Sequence, residues 1–250
     1  MPAARRNVKI GCCGFRLSRH EYFTRFPVVE VQQTFYQPPK VETLRRWRED
    51  APADFEFTIK AWMMITHEPR SPTYRRMKRE LTAEEREQAG SFRPTAAVRE
   101  AWRVTRESAE ALGARRVLFQ CPASFTPTPE HLGNLRRFFK KTKRGDFRFL
   151  WEPRGEAWTR ELVGELCREL DLVHVVDPLV ERTATPGRPY FRLHVRWGRD
   201  RKRYEDEELR ELYAMLPRGE TSYVLFNNVR MAEDAARFQR IVGEEAEDEG

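Results

Sequence analysis

Two glutamates, three fixed cations and two histidines occupy alternate positions in apolar, strand-like segments: Glu30, Glu152, Lys60, Arg154, Arg192, His174 and His194. Together with Gln120, Asn227 and Tyr36 they are the residue types that grip an anion and move a proton. Parity is what groups them, because successive side chains of a strand point to opposite faces. In Val28–Tyr36, Val29, Val31 and Phe35 take the outward face and Glu30, Gln32, Thr34 and Tyr36 the inward one. In Phe55–Trp62 the inward set is Thr58, Lys60 and Trp62. The same rule turns Gln120, Glu152, Arg154, His174, Arg192, His194 and Asn227 inward from five later segments.

An ordinary barrel interior is filled by Val, Ile and Leu, and an unpaired charge there is costly. Some of this set must therefore pair, and the rest must face a polar pocket. Glu30 lies early enough in its segment to be half of an internal ion pair with Lys60 or Arg192, and equally a ligand group. Glu152 and His194 end their segments and are the expected general acid and base. Lys60, Arg154 and Arg192 would hold an anion, Gln120 and Asn227 would bind hydroxyls, and Glu30 and Tyr36 complete the binding set. Trp62, Trp158 or Trp197 offers a stacking face. Glu30, Glu152, Asp177, His174 and His194 carry metal-ligand atoms, but Asp177 falls on the outward parity and three cations crowd the set. No metal site is assigned, and no cofactor follows from the sequence.

Eight segments have strand composition: Val8–Phe15, Val28–Tyr36, Phe55–Trp62, Arg116–Cys121, Phe147–Glu152, Leu172–Asp177, Tyr190–Val195 and Ser222–Asn227. Most gaps between them carry a helical period, as in Leu209, Leu212, Tyr213 and Leu216. Strands alternating with helices predict an α/β fold, a (β/α)8 TIM barrel. It has a helical excursion after strand three (Arg70–Arg93) and a shortened, proline-rich connection after strand six (Pro178–Pro189). A doubly wound open sheet is the alternative. One domain is expected over residues 1–243, followed by an acidic, mobile tail over 244–250.

The 250 residues include 46 Lys and Arg and 39 Asp and Glu, for a net charge of +7. The last seven residues carry five acids and no base, so the body carries +12. A basic body suits polyanions or anionic substrates. Cys12, Cys13, Cys121 and Cys167 form no C-x-x-C pair, which suits core thiols in a reducing compartment. No apolar run is long enough to span a bilayer and residues 1–9 show no signal-type stretch, so a cytoplasmic location without membrane association is expected. Phosphate-loop, dinucleotide, zincin and nucleophile-elbow motifs are missing.

Six stretches in order resemble domain-of-unknown-function family 72, the YecE-like family. They are VVEVQQTFYQPP (Val28–Pro39), FEFTIKAWMMITHE (Phe55–Glu68), VLFQCPASF (Val117–Phe125), LWEPRGEAW (Leu150–Trp158), YFRLH (Tyr190–His194) and YVLFNN (Tyr223–Asn228). Tyr204–Leu212 resembles the family's tyrosine followed by an acidic helix start. The Arg70–Arg93 excursion and the PASF wording resemble the archaeal branch. The resemblance implies a TIM barrel and supplies no reaction. Where the family reads V-E-I-N-S-T-F-Y, this chain reads V-E-V-Q-Q-T-F-Y, with Gln32 and Gln33 in place of Asn and Ser. Its opening T-S-G-W is C-C-G-F here (Cys12–Phe15).

The expected function is an enzyme of unassigned reaction, hydrolase or isomerase in type, binding a small phosphate- or carboxylate-bearing substrate at the C-terminal face of the barrel. One alternative is a nucleic-acid-binding protein or metal-assisted phosphodiesterase, and another is a non-catalytic binding module. The expected partner is a small anionic ligand, with nucleic acid as the second candidate. The sequence does not set an oligomeric state.

Overall fold

The computed structural model describes residues 6–194 and 203–248. Val195 and Trp197, read above as strand end and stacking face, lie outside the described residues. Eight parallel strands form one sheet in the order β6-β5-β4-β3-β2-β1-β8-β7. The two ends of that order meet at a parallel bridge between Val176 and Phe191, where Arg192 N donates to Val176 O at 2.9 Å. The fold is the expected (β/α)8 TIM barrel.

The chain divides into two compact units, one of residues 1–30, 51–56 and 173–250, the other of residues 31–50 and 57–172. The first holds β1 (Asn7–Cys12), α1 (Arg19–Arg25), most of β2 (Val28–Val31), β6 (Val173–His174) and β7 (Tyr190–Leu193). It ends with α8 (Asp206–Met215), β8 (Thr221–Phe226) and α9 (Met231–Asp248). Gly11 of β1 stands in register with Val28 of β2, and a Cβ at Gly11 would lie 2.0 Å from Val28 O. Only glycine permits that approach.

The second unit holds α2 (Gln33–Tyr36), α3 (Val41–Asp50), most of β3 (Glu56–Lys60), a 3-10 turn (Pro72–Arg76), α4 (Ala83–Gln88) and α5 (Ala96–Leu112). It continues with β4 (Arg116–Gln120), α6 (Pro129–Lys141), β5 (Arg148–Glu152) and α7 (Arg160–Leu170). Thr82, Thr95, Thr128 and Thr159 cap the helices that follow them, each hydroxyl accepting from a first-turn N–H. The outward residues of β4 and β5 pack into an aromatic cluster. Phe119 lies 5.1–6.0 Å from the rings of Trp102, Phe138, Phe139 and Phe149. The inward residues are buried as well, as a parallel sheet covered on both faces requires.

Three expected boundaries move. Strand two stops at Val31, and residues 33–36 form a helical turn instead. The cause is Thr34, whose hydroxyl donates to Val31 O at 3.0 Å and reaches Lys60 O at 2.7 Å. A side chain bonded to nearby backbone in this way competes with the sheet ladder. Strand parity therefore does not extend to Tyr36. Strand one ends at Cys12 rather than Phe15, and strand six shrinks to two residues plus the bridge at Val176. The excursion after β3 is present as the 3-10 turn and α4, and the connection after β6 carries no helix.

The segment read as a mobile acidic tail is helical through Asp248. Glu244 lies 3.6 Å from Arg240 of the same helix and 3.6 Å from Arg210 of α8. Among the described residues no helix is long and apolar enough to cross a membrane. Gly11→Ala should lower stability by about 3 kcal/mol through overpacking against Val28. The check is a lower urea midpoint with an unchanged slope.

Candidate active site

In the second unit the C-terminal ends of β3, β4 and β5 carry Lys60, Gln120 and Glu152. Gln120 and Glu152 stand side by side in register. Lys60 is buried with its ammonium 3.5 Å from the centroid of Phe35, and its carbonyl is fixed by Thr34. Glu152 is buried, and its Oε1 accepts from Arg154 Nε at 2.9 Å and Nη2 at 2.8 Å. Arg154 itself lies past the strand end, in the loop that Gly155 turns with a φ of 100°. Tyr36 lies under Arg76, whose guanidinium sits 3.7 Å from the ring centroid and donates to the phenol oxygen. Trp62 follows β3 directly, and its indole N–H is buried with no acceptor.

His67 is the functional candidate that parity missed. It lies beyond β3, with its ring 5.1 Å from that of Phe35 and its Nδ1 2.8 Å from the Thr66 hydroxyl. Burial, and then the positive charges of Lys60 and Arg154, pull its pKa from 6.5 down to about 3. The ring is therefore neutral at physiological pH. Its backbone is clamped by a second strained segment. Gly90, Ser91 and Phe92 all have positive φ, of 90°, 52° and 52°. Gly90 N donates to Met64 O and Phe92 N to Ile65 O, at 2.7 and 2.9 Å. A Cβ at Gly90 would lie 2.5 Å from His67 O. A bulky residue such as Phe92 at positive φ is a backbone outlier, and such strain concentrates where a side chain must be held in place. The T-H-E after strand three and the A-G-S-F turn are the sequence signals that mark this site.

The first unit gathers a different set. Glu30 and Arg192 are 0% and 1% exposed. Arg192 Nε donates to Glu30 Oε1 at 3.0 Å, and the Tyr190 hydroxyl to Oε2 at 2.9 Å. Of the two readings for Glu30, the buried ion pair is the one present, with Arg192 as partner. His194 Nδ1 lies 3.0 Å from Arg192 O, and Asn227 Nδ2 lies 2.8 Å from His194 Nε2. A carbonyl only accepts, so Nδ1 carries the proton and Nε2 accepts from the Asn227 amide. Asp177, on the outward parity, accepts from His194 N at 2.8 Å. His174 is buried and its Nδ1 accepts from Ala184 N at 3.0 Å, a contact that ties down the loop after β6.

Among the described residues no three His, Cys, Asp or Glu side chains gather as a metal site. All four cysteines are free and buried, and burial pushes the Cys12 and Cys121 thiols up to about 12. They are core residues rather than nucleophiles. A cavity of about 690 Å³ opens at the opposite, N-terminal ends of β4 and β5, lined by Arg106, Glu110, Arg115, Lys143, Arg144 and Asp146. Arg106, Arg115 and Arg144 are paired there with Glu110, Asp146 and Asp171. Conserving that end of a barrel serves stability, while reactions occur at the C-terminal face.

Fold and site together define a TIM-barrel protein with ionisable side chains at the C-terminal ends of its strands. The chain belongs to the family described as "Protein of unknown function DUF72", whose model matches residues 15–249. A DUF72 family protein of Enterococcus faecalis V583 is similar in structure, with 22% identity, 96% of this chain and 99% of that chain covered, and a TM-score of 0.69. SacUVDE is similar over 96% of this chain and 99% of its own, with 7% identity and a TM-score of 0.62. A D-tagatose 3-epimerase-like protein is similar over 96% and 97%, with 13% identity and a TM-score of 0.56. These likenesses show the fold. A comparison with curated proteins finds no match.

Arg192→Leu should cost about 3–5 kcal/mol, because it leaves Glu30 charged, buried and unpaired. The double variant Glu30→Met/Arg192→Leu should recover most of that loss in urea unfolding. The pH dependence of stability should show His67. Below about 6.5 the unfolded ring takes up a proton, and the folded ring does so only near 3. The unfolded state binds more protons in that window, so stability is full above it and falls with pH by up to about 1.4 kcal/mol per pH unit. His67→Asn should remove one proton's worth of that slope.

Proposed function

We propose that the protein is an enzyme acting on a small substrate that bears a phosphate or carboxylate, bound at the strand ends of the second unit. The observation that carries this reading is geometric: Lys60, Gln120 and Glu152 end β3, β4 and β5, with Arg154 bonded to Glu152. Burial first, and then Lys60 and Arg154, keep His67 neutral, so the fixed charges near the ring are two cations suited to an anion. Lys60 and Arg154 hold the anionic group. Arg154 reaches it from a position 38% exposed, at the rim of the site. Gln120 and the unpartnered indole N–H of Trp62 bind substrate oxygens, with Tyr36 at the margin.

Glu152 is the general acid–base group. Arg154 grips one of its oxygens and fixes its orientation, so it can take a proton from the substrate and return it. Neutral His67 donates or accepts a hydrogen bond without adding charge, and that suits a site where negative charge develops during reaction. In the first unit His194, with its Nε2 held by Asn227, is proposed as a second acid–base group. The reaction type is hydrolase or isomerase. Four free cysteines fit a reducing, cytoplasmic setting. The Arg70–Arg93 excursion supports a place in the archaeal branch of the family.

The test is thermal denaturation against a panel of phosphorylated and carboxylated small molecules. A ligand at a hundred times its Kd should stabilise the protein by about 2.7 kcal/mol. Lys60→Met and Glu152→Gln should fold and lose that stabilisation. A full ligand response in both variants would refute the assignment.

A further inference from the structure

The excursion after β3 carries a cluster of cations that the proposed active site does not use. Lys40, Arg75, Arg76 and Lys78 are all exposed. The backbone brings them to one corner. Lys78 N and Arg79 N both donate to the Gln37 side-chain oxygen, at 2.9 and 3.2 Å, three residues before Lys40. Arg76 lies on Tyr36, and the Tyr74 hydroxyl donates to His67 O at 2.9 Å. These bonds pin the 3-10 turn over α2 and fix the spacing of the cations.

The local acids do not neutralise them. Glu68 is paired with Arg70 and Glu85 with Arg79, at 2.8 and 2.7 Å. Among the described residues no ion pair joins Lys40, Arg75, Arg76 or Lys78 to a carboxylate, whereas Arg70 and Arg79 of the same excursion are paired. On α5 and α6 several arginines are matched: Arg103 with Glu100 and Glu107, Arg106 with Glu110, Arg136 with Glu169. Arg76 is further organised, since its guanidinium sits over the Tyr36 ring and donates to its hydroxyl, and so loses little freedom on binding.

We propose that this corner binds the phosphodiester backbone of a nucleic acid. A single small anion gains little from four separate exposed cations, because each contact is screened by water and salt. A chain of phosphates gains at all four, because neutralising each one releases condensed counterions. Arg76 on Tyr36 adds a platform for a base or a phosphate. The surface adjoins the Lys60–Glu152 pocket at Tyr36 and does not rest on the reading given to that pocket.

The experiment is fluorescence anisotropy of the full chain with a labelled single-stranded DNA 20-mer (a length of about 20 nucleotides) at about 50 and 200 mM salt. Four phosphate contacts predict an affinity loss of about 50-fold between the two conditions. The triple variant Lys40→Ala/Arg75→Ala/Lys78→Ala should keep only a roughly threefold salt effect. A control triple, Arg137→Ala/Lys141→Ala/Lys143→Ala, removes the same net charge from exposed positions on and after α6 and should bind as wild type. No binding at the lower salt overturns the proposal. So does equal weakening by both triples, which would make the effect one of net charge alone. Circular dichroism of both variants checks that they fold.

Discussion

A carboxylate with no water around it organises the interior of the first unit. Glu30 is fully buried, and its two oxygens are taken by Arg192 Nε and the Tyr190 hydroxyl. Removing both charges of such a pair from water costs several kcal/mol per ion, recovered only when the geometry is good and the remaining lone pairs are bonded. That demand fixes where β2 and β7 lie. In the same unit the half-buried Glu56 accepts from the Tyr223 hydroxyl at 2.8 Å and from Lys9. The two tyrosines stack at 5.6 Å and 19°, which joins the two carboxylate groups into one packed column. A hydrophobic filling would have been cheaper. The polar one ties β1, β2, β7 and β8 to specific partners.

The second unit is arranged around the opposite problem, a surplus of positive charge. Burial keeps the His67 ring neutral, and the positive charges of Lys60 and Arg154 add to the effect. Lys60 is placed against the face of Phe35, where the ring quadrupole offsets part of its desolvation. His67 is held by a backbone that is itself strained at Ser91 and Phe92. Strain of this kind persists only where surrounding structure over-determines it, here through the bonds to Met64, Ile65 and Thr66. Charge, burial and backbone strain thus converge on one short segment after β3.

Much of the architecture was legible because it rests on short-range periodicity. Alternation named the eight strands, and the period of Leu209, Leu212 and Tyr213 marked a helix that the structure keeps. Parity failed at Gln32–Tyr36, where Thr34 turns its hydroxyl onto the carbonyls of Val31 and Lys60 and ends the strand. The composition of that stretch still reads as strand, because the bond that stops it comes from a residue 26 positions away. At the acidic end the helix α9 runs on through Asp248, with Arg210 and Arg240 beside Glu244.

The sequence by itself determined the fold class, the order of strands and helices, and the residues that would be turned away from the outer helices. These follow from periods of 2 and 3.6 residues, which are written locally. Tertiary structure alone decided which ionisable group pairs with which. Glu30 meets Arg192 across 162 positions, and Asn227 meets His194 across 33. It also decided that His67 is neutral and that Lys60 lies on Phe35. Pairing and desolvation depend on distances of a few ångströms between distant parts of the chain, and no local pattern encodes those distances.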